Sequence, residues 1–347
     1  NFLQMKGYNP YVLPRSSNFR ESCIECQGFL CPKDCKIDSF NACVLPAIKN
    51  YNAEIITNAE VLSLETRKNV ISNVIVSQNG EIYKIYGENV VLAAGAIYSP
   101  YLLLKSKSKE FPNGLSNSSG LVGKNLMRHL IDLYIVNSKY KIPKVGFMKE
   151  IAFNDLYNHK KGRIGTVQSF GRPPDKSIMT QAVIDKISKK IKIKRSYINF
   201  IKPFISPLIE IYFSKKVIFN SIIEDLPYYD NSISLESKTN IPVINFKLNP
   251  YEKNIIKVSR TLIKDIFKDV GVTIVKQAED NKRLAHVCGT CRSGNDPEKS
   301  VVDANCKSHD IDNLYISDAS IFPTSGGTNP ALTIAANALR MSEKILK

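Results

Sequence analysis

The run "NLYISDASIFPTSGGTNPALTIAANALRM", from Asn313 to Met341, limits what this chain can become more than any other stretch. It reads as a short strand, a loop with two adjacent glycines, and a helix whose opening is almost entirely apolar. Asn329 as N-cap and Pro330 at the first helical position supply the start signal. Gly326 and Gly327 are more than a cap requires; they let backbone lie close to something. Strand, glycine loop and helix N-terminus in that order suit an anion or a cofactor.

Upstream, Ala53 to Ala96 alternates apolar and polar residues and turns at Asn79-Gly80, which predicts a meander of short strands. It ends in "NVVLAAG", a continuous apolar run expected to be buried on both faces. Ser99 and Pro100 are expected to open a short helix. From Asp132 to about Lys282 the texture changes to strands such as "LYIVNSKY", "SISLES" and "PVINFKL" separated by loops. An amphipathic helix follows: Asn249 caps it, Pro250 starts it, Glu252 completes the cap and Gly271 stops it. Ile255, Ile256, Leu262, Ile263, Ile266 and Phe267 mark its buried face. This region reads as an α+β lobe inserted between two parts of another domain.

At 347 residues and 43% apolar, the chain is large enough for a real core. No apolar run reaches the roughly 18 residues of a membrane-spanning helix. The chain starts with Asn rather than Met, and "NFLQMKG" reads as the last turn of a helix ending at Gly7. The expectation is that it begins inside a larger protein; location stays open, with the cytoplasm favoured. Of the net charge of +16, half comes from Lys186 to Lys216, with nine basic residues and one acid. The main reading there is strand and helix with snorkelling lysines. A peripheral membrane contact through 186–216 ranks second and nucleic acid last.

The cysteines form two groups, Cys23, Cys26, Cys31, Cys35 and Cys43, then Cys288, Cys291 and Cys306. The early spacing C-x2-C-x4-C-x3-C could hold zinc or an iron–sulfur cluster, but Pro32 and Asp34 interrupt it and it matches neither usual ferredoxin pattern. Packed or free thiols are preferred to disulfides, and no metal is assigned.

"LAHVCGTCRSGNDPEKSVVDANCKSHDIDNLYISDASIFPTSGGTNPALTIAANALR" closely resembles the C-terminal region of glucose–methanol–choline (GMC) flavoprotein oxidoreductases. "NVVLAAGAIYSPYLLLKS", "GLVGKNLMRH", "CIECQGFLCPKDCKIDSFNACVLPAI" and "NSISLESKTNIPVINFKLNP" resemble further parts of that family, the cysteine-rich piece its bacterial members. The resemblance implies an α/β plus α+β fold: a partial FAD-binding, Rossmann-like domain with an inserted antiparallel-sheet substrate domain. Residues 1–131 and 283–347 would form the FAD-binding part and 132–282 the substrate part. The family's G-x-G-x-x-G turn, which holds the ADP pyrophosphate, is missing. The chain is therefore expected to correspond to the C-terminal two-thirds of a member.

The resemblance also assigns chemistry. His286 matches the catalytic histidine, the base for a substrate hydroxyl as hydride passes to flavin N5. Asn329 matches a second catalytic position, where an amide holds the substrate oxygen; its competing role is the N-cap, and one oxygen cannot serve both fully. The helix beginning at Pro330 would aim its positive end at the flavin's pyrimidine edge, worth up to ~2 kcal/mol to the reduced ring. Val61, Ala94, Gly95, Asp318, Ala319, Asn329, Pro330, Ala331 and Leu332 are the implied FAD contacts, with ordinary strand-end packing as the plain alternative for the strand-end residues. Ser293 departs from the family's bulky Met or Phe. His129, after "KNLMR", is taken as structural, and His309 has no evident role. The implied function is oxidation of a CH–OH donor (alcohol, polyol or sugar), by an oxidase or a dehydrogenase with an unnamed electron acceptor and no nucleic-acid partner. Competing readings are a lyase on the same histidine, a catalytically incomplete C-terminal fragment, and a basic membrane-surface module.

Overall fold

The computed structural model describes residues 2–19, 23, 31–142, 150–171, 179–181, 183–185, 202–276, 278–279 and 284–346. One body is an antiparallel sheet in the order β1-β7-β8-β9-β6-β12. Its strands are β1 (Tyr11–Val12), β6 (Leu130–Asn137), β7 (Ile151–Phe153), β8 (Thr166–Gly171), β9 (Lys216–Ile223) and β12 (Val272–Lys276). The period-2 pattern of β6 turns Leu130, Asp132, Tyr134 and Val136 inward. Against this face packs α5 (Pro250–Ile266), burying Ile255, Ile256, Ile263 and Ile266, with Phe267 at its end. Leu262 is only partly buried. The helix starts as its sequence dictates: Asn249 N donates to Glu252 Oε2 at 3.2 Å, and Gly271 takes a φ of +83° after the last turn. Asp132 alone breaks the apolar row. It is fully buried and accepts from Arg260 Nε and Nη2, both at 2.8 Å, and from Ala278 N.

The second body is assembled from distant parts of the chain. β5 (Val90–Leu92) and β13 (Leu314–Ile316) pair in parallel, Leu314 opposite Val90. After the short helices α1 (Phe2–Met5) and α2 (Leu45–Tyr51), the meander predicted for 53–96 is present as β2 (Ala59–Arg67), β3 (Val70–Gln78) and β4 (Glu81–Ile85). Asn79 and Gly80 have φ of +53° and +89°, the left-handed pair that a tight hairpin needs. Leu64, Ile71, Leu103, Val302, Leu314 and Met341 share one core with α3 (Gly95–Lys105) and α6 (Ala331–Ile345). The hairpin of β10 (Ser232–Leu235) and β11 (Pro242–Asn245) joins this body, since Ile233 N donates to Gly123 O at 2.7 Å.

Three expectations need correction. β5 is not buried on both faces: Leu92 points into the core but Val91 is 46% exposed. A parallel pair requires a layer on each side, and the described residues supply only one. Pro100 does not open α3 but sits in its sixth position. Its missing N–H would have bonded the Ala96 carbonyl, which instead accepts from Thr290 Oγ1 at 2.7 Å. Asn329 does not cap α6. Pro330 holds that position, its carbonyl accepting from Ile334 N, while no side chain caps the helix.

Residues 186–201 of the basic stretch, and Cys26, lie outside the described residues. The rest of the stretch is α4 (Lys202–Phe213) running into β9, with Phe204, Leu208, Ile211 and Tyr212 exposed on one side. Among the described residues no helix is long and apolar enough to cross a membrane, and no group of three or more His, Cys, Asp or Glu could hold a metal. Cys288, Cys291 and Cys306 are buried thiols, and burial pushes that of Cys288 up to about 12.

Candidate functional site

The loop after β13 and two short backbone ladders build the site. Met127 and Cys288 exchange backbone hydrogen bonds at 2.9 and 3.0 Å, and His129 N donates to Ala285 O at 2.9 Å. These rungs set the "NLMRH" segment beside the "LAHVC" segment. Between them His129 Nδ1 meets His286 Nδ1 at 2.8 Å, with the rings edge to face at 82°. His286 has a φ of +55°, a left-handed conformation that a non-glycine residue holds only when its surroundings fix it. His286 is exposed and His129 is buried. Burial holds the His129 imidazole below the ordinary histidine range, partly opposed by the carbonyls it bonds.

Those carbonyls belong to the glycine loop. His129 Nε2 lies 3.0 Å from Ser325 O and 3.1 Å from Gly326 O. Ser325 Oγ accepts from Asp225 N at 2.9 Å, so the loop is pinned from two sides. Gly327 N donates to Tyr157 Oη at 2.9 Å, and Gly327 O accepts from Thr166 N of β8 at 2.8 Å. Asn329 Nδ2 donates to Gln168 Oε1, also on β8, at 2.9 Å. That bond turns the Asn329 side chain toward the sheet, and the chain enters α6 one residue later, with Pro330 at the cap. The first-turn N–H groups of α6 have no side-chain acceptor, and Ala331, Leu332 and Thr333 of that turn are exposed. Asp225 stands behind the loop. Burial raises its carboxyl to about 7, against the pull of the Arg128 backbone N–H on its Oδ2.

The implied cofactor contacts fall into two sets. Asp318 does not present a bare carboxylate: Oδ2 accepts from Gly95 N and Ser99 Oγ, and Oδ1 from Ser320 N. It ties the end of β13 to the start of α3, with Ala319 buried beside it. Gly95 has a φ of +78°, which alone demands glycine, and the space a Cβ would enter is open. Val61, at the register shift of β2, is 40% exposed; Ala94 and Ala331 are exposed, Pro330 half-buried, and Leu332 75% exposed. Small and apolar groups, open space at Gly95 and uncapped N–H groups at an exposed helix start fit an aromatic, anionic cofactor.

Sequence reasoning missed His129 as a partner of His286, and missed Gln168 and Tyr157 altogether. The only signal was a histidine closing "GKNLMRH" directly before an alternating strand. His309 has a structural place, its Nε2 bonding Ser300 Oγ at 2.8 Å and Gly294 O at 3.1 Å.

Residues 4–131 and 227–338 match the N- and C-terminal parts of GMC oxidoreductase. The chain belongs to the GMC oxidoreductase family. It is 27% identical to the 6'''-hydroxyparomomycin C oxidase of Streptomyces lividus, over 98% of this chain and 61% of that protein. The 2-methyl-1,2-propanediol dehydrogenase of Mycolicibacterium austroafricanum is 28% identical over 86% of this chain and 55% of its own length. Fructose dehydrogenase large subunit of Gluconobacter japonicus is 25% identical, over 98% and 63%. Among solved structures, formate oxidase of Aspergillus oryzae RIB40 superposes with a TM-score of 0.59 at 15% identity, covering 85% of this chain and 61% of that one. Pyridoxine 4-oxidase of Mesorbium loti gives 0.54 at 17%, covering 89% and 61%. The GMC fold, an FAD-binding domain with an antiparallel-sheet domain, is thereby shown. The chain spans about three-fifths of the length of these GMC relatives. FAD is the family's cofactor.

Proposed function

We propose that the chain forms the substrate-side and C-terminal parts of an FAD-dependent oxidoreductase acting on the CH–OH group of an alcohol, polyol or sugar. The observation carrying this is His286, held in a left-handed turn and bonded through His129 to the glycine loop at the head of α6. In this reading His286 takes the hydroxyl proton, and the Asn329 amide, steadied by Gln168, orients the substrate oxygen. Bound FAD supplies the hydride acceptor. The α6 N-terminus and the Gly326–Gly327 backbone would line its ring, and Val61, Ala94 and Gly95 its adenosine side. Residues 1–131 and 283–347 would be the cofactor part, and 132–282 the substrate part, which borrows β1 as an edge strand and lends the β10–β11 hairpin to the cofactor part. A pyrophosphate-binding turn is proposed to come from protein outside this sequence, since no G-x-G-x-x-G occurs in it.

The test is to add FAD to the chain, alone and extended by the rest of its gene product, and then alcohols, polyols or sugars without oxygen. Bleaching of the flavin band identifies the substrate class. His286→Ala should abolish bleaching while flavin stays bound; unchanged bleaching would overturn the assignment.

A second reading, contact with an anionic membrane, is supported by α4, whose exposed Phe204, Leu208, Ile211 and Tyr212 lie near Lys202, Lys215 and Lys216. Salt-sensitive sedimentation with phosphatidylserine vesicles, but not with phosphatidylcholine alone, is the expected result. Equal behaviour with both would remove it.

A further inference from the structure

We propose that His129 is a positioning residue that fixes the tautomer of His286, keeping the proton of a neutral His286 on Nδ1 and its lone pair on Nε2. The proposal rests on the reading of His286 as the base. Carbonyl oxygens only accept, so His129 Nε2, within 3.0 Å of Ser325 O and 3.1 Å of Gly326 O, must carry a proton. Its ring is buried at 2% exposure, which favours the neutral form with that single proton. Nδ1 of His129 is then a lone pair. The 2.8 Å contact is a hydrogen bond only if His286 Nδ1 donates; two lone pairs at that separation would repel. The second nitrogen of a histidine is set by the bond the first one makes. Hence the chain, through two backbone oxygens and one buried ring, dictates which nitrogen of His286 is basic.

The contact is not adventitious. It lies between the backbone bonds of His129 N to Ala285 O and of Met127 to Cys288, so the ladder fixes how far apart the two rings are rooted. The chemistry balances simply. The substrate O–H bond breaks and a proton passes to His286 Nε2. The resulting imidazolium keeps its Nδ1–H on neutral His129, and His129 keeps its own proton on the carbonyls. No proton crosses the pair. His129 thus serves twice, selecting the reactive nitrogen before transfer and solvating the cation after it.

The experiment uses the chain itself, which has four histidines. With 15N-labelled histidine, long-range 1H–15N correlation spectra report the tautomer of each ring without flavin or substrate. His286 is expected as Nδ1–H and His129 as Nε2–H. His129→Leu should turn His286 to the Nε2–H form that imidazole prefers in water. His129→Asn puts an amide oxygen where Nδ1 stood and should restore the Nδ1–H form. In the flavin-loaded protein His129→Leu should lower kcat on the order of a hundredfold with KM little changed, and His129→Asn should recover much of it. An Nε2–H His286 in the native chain, or a tautomer that His129→Leu leaves unchanged, would overturn the proposal. Should His129→Leu not fold, the native and His129→Asn spectra decide. Because these spectra need no turnover, a failure of the alcohol-oxidation reading shows only in the bleaching assay.

Discussion

The antiparallel lobe and the parallel β5–β13 pair are built from similarly apolar strands, yet only the first is closed. In the lobe Val167 and Ile222 have no exposed surface, and α5 seals one face with four buried isoleucines. In the other body Val91 of β5 is 46% exposed, and Leu332, Ala335, Ala336 and Leu339 run down one side of α6 in contact with solvent. That spacing, three and four residues apart, is an apolar stripe of the kind helices bury. Antiparallel sheets tolerate a wet face, whereas parallel ones are found covered on both. The difference teaches that apolar pattern records which side wants cover, not which residues supply it.

The largest effect expected in the closed lobe is electrostatic. Arg260→Met leaves the Asp132 carboxylate buried without its cation and should cost about 3–5 kcal/mol in urea unfolding. A loss below 1 kcal/mol would mean that the pair is not the keystone of that core. Next in size is the pH response of Asp225. Its folded carboxyl is raised to about 7 from an ordinary value of 3.8, so the folded state binds the extra proton. Stability is fully present below pH 4, falls as pH climbs to 7, and is flat above, a change of up to about 4 kcal/mol. Asp225→Asn cannot ionise, so its stability should fall less than the native chain's between pH 5 and pH 8; parallel curves would refute the assignment.

The comparison itself is sharpened by a matched pair. Ile256→Ala should cost about 2–5 kcal/mol, and Leu339→Ser within about 0.5 kcal/mol in this chain alone. If Leu339→Ser proves as costly as Ile256→Ala, the α6 face is already packed and the contrast is lost. The smallest effect is the most specific. Thr290→Val should cost about 1–2 kcal/mol by leaving the Ala96 carbonyl unmet. In a Pro100→Ala background the restored N–H should reduce that cost to a few tenths; an equal cost in both backgrounds would break the link.

Much of this was legible because the signals are local. Asn79-Gly80 between alternating strands gives a hairpin, and Asn249, Pro250 and Glu252 give a helix start, each within a few residues. The strand, glycine loop and helix near the end stand where they were expected. What escaped was decided by partners far along the chain. Pro100 is tolerated inside α3 because a hydroxyl 190 residues later takes the orphaned carbonyl. Asn329 points its amide nitrogen at Gln168 while Pro330 stands at the cap, and His129 gained a partner beside a ladder to Ala285 and Cys288. The histidine that closes "GKNLMRH" is the one local hint, and it does not name its partner.

Gly165 and Gly327 touch backbone to backbone: a Cβ on Gly165 would lie 2.0 Å from Ile222 O and 2.9 Å from Gly327 O. With the Thr166 N to Gly327 O bond, the glycine loop is fastened to the start of β8, an inner strand of the antiparallel sheet. Such a weld has no room for a hinge. Any parting of the loop from the sheet would have to break the Thr166–Gly327 bond and the Asn329–Gln168 bond together, so the loop that holds His129 and the strand that holds Gln168 share one anchorage.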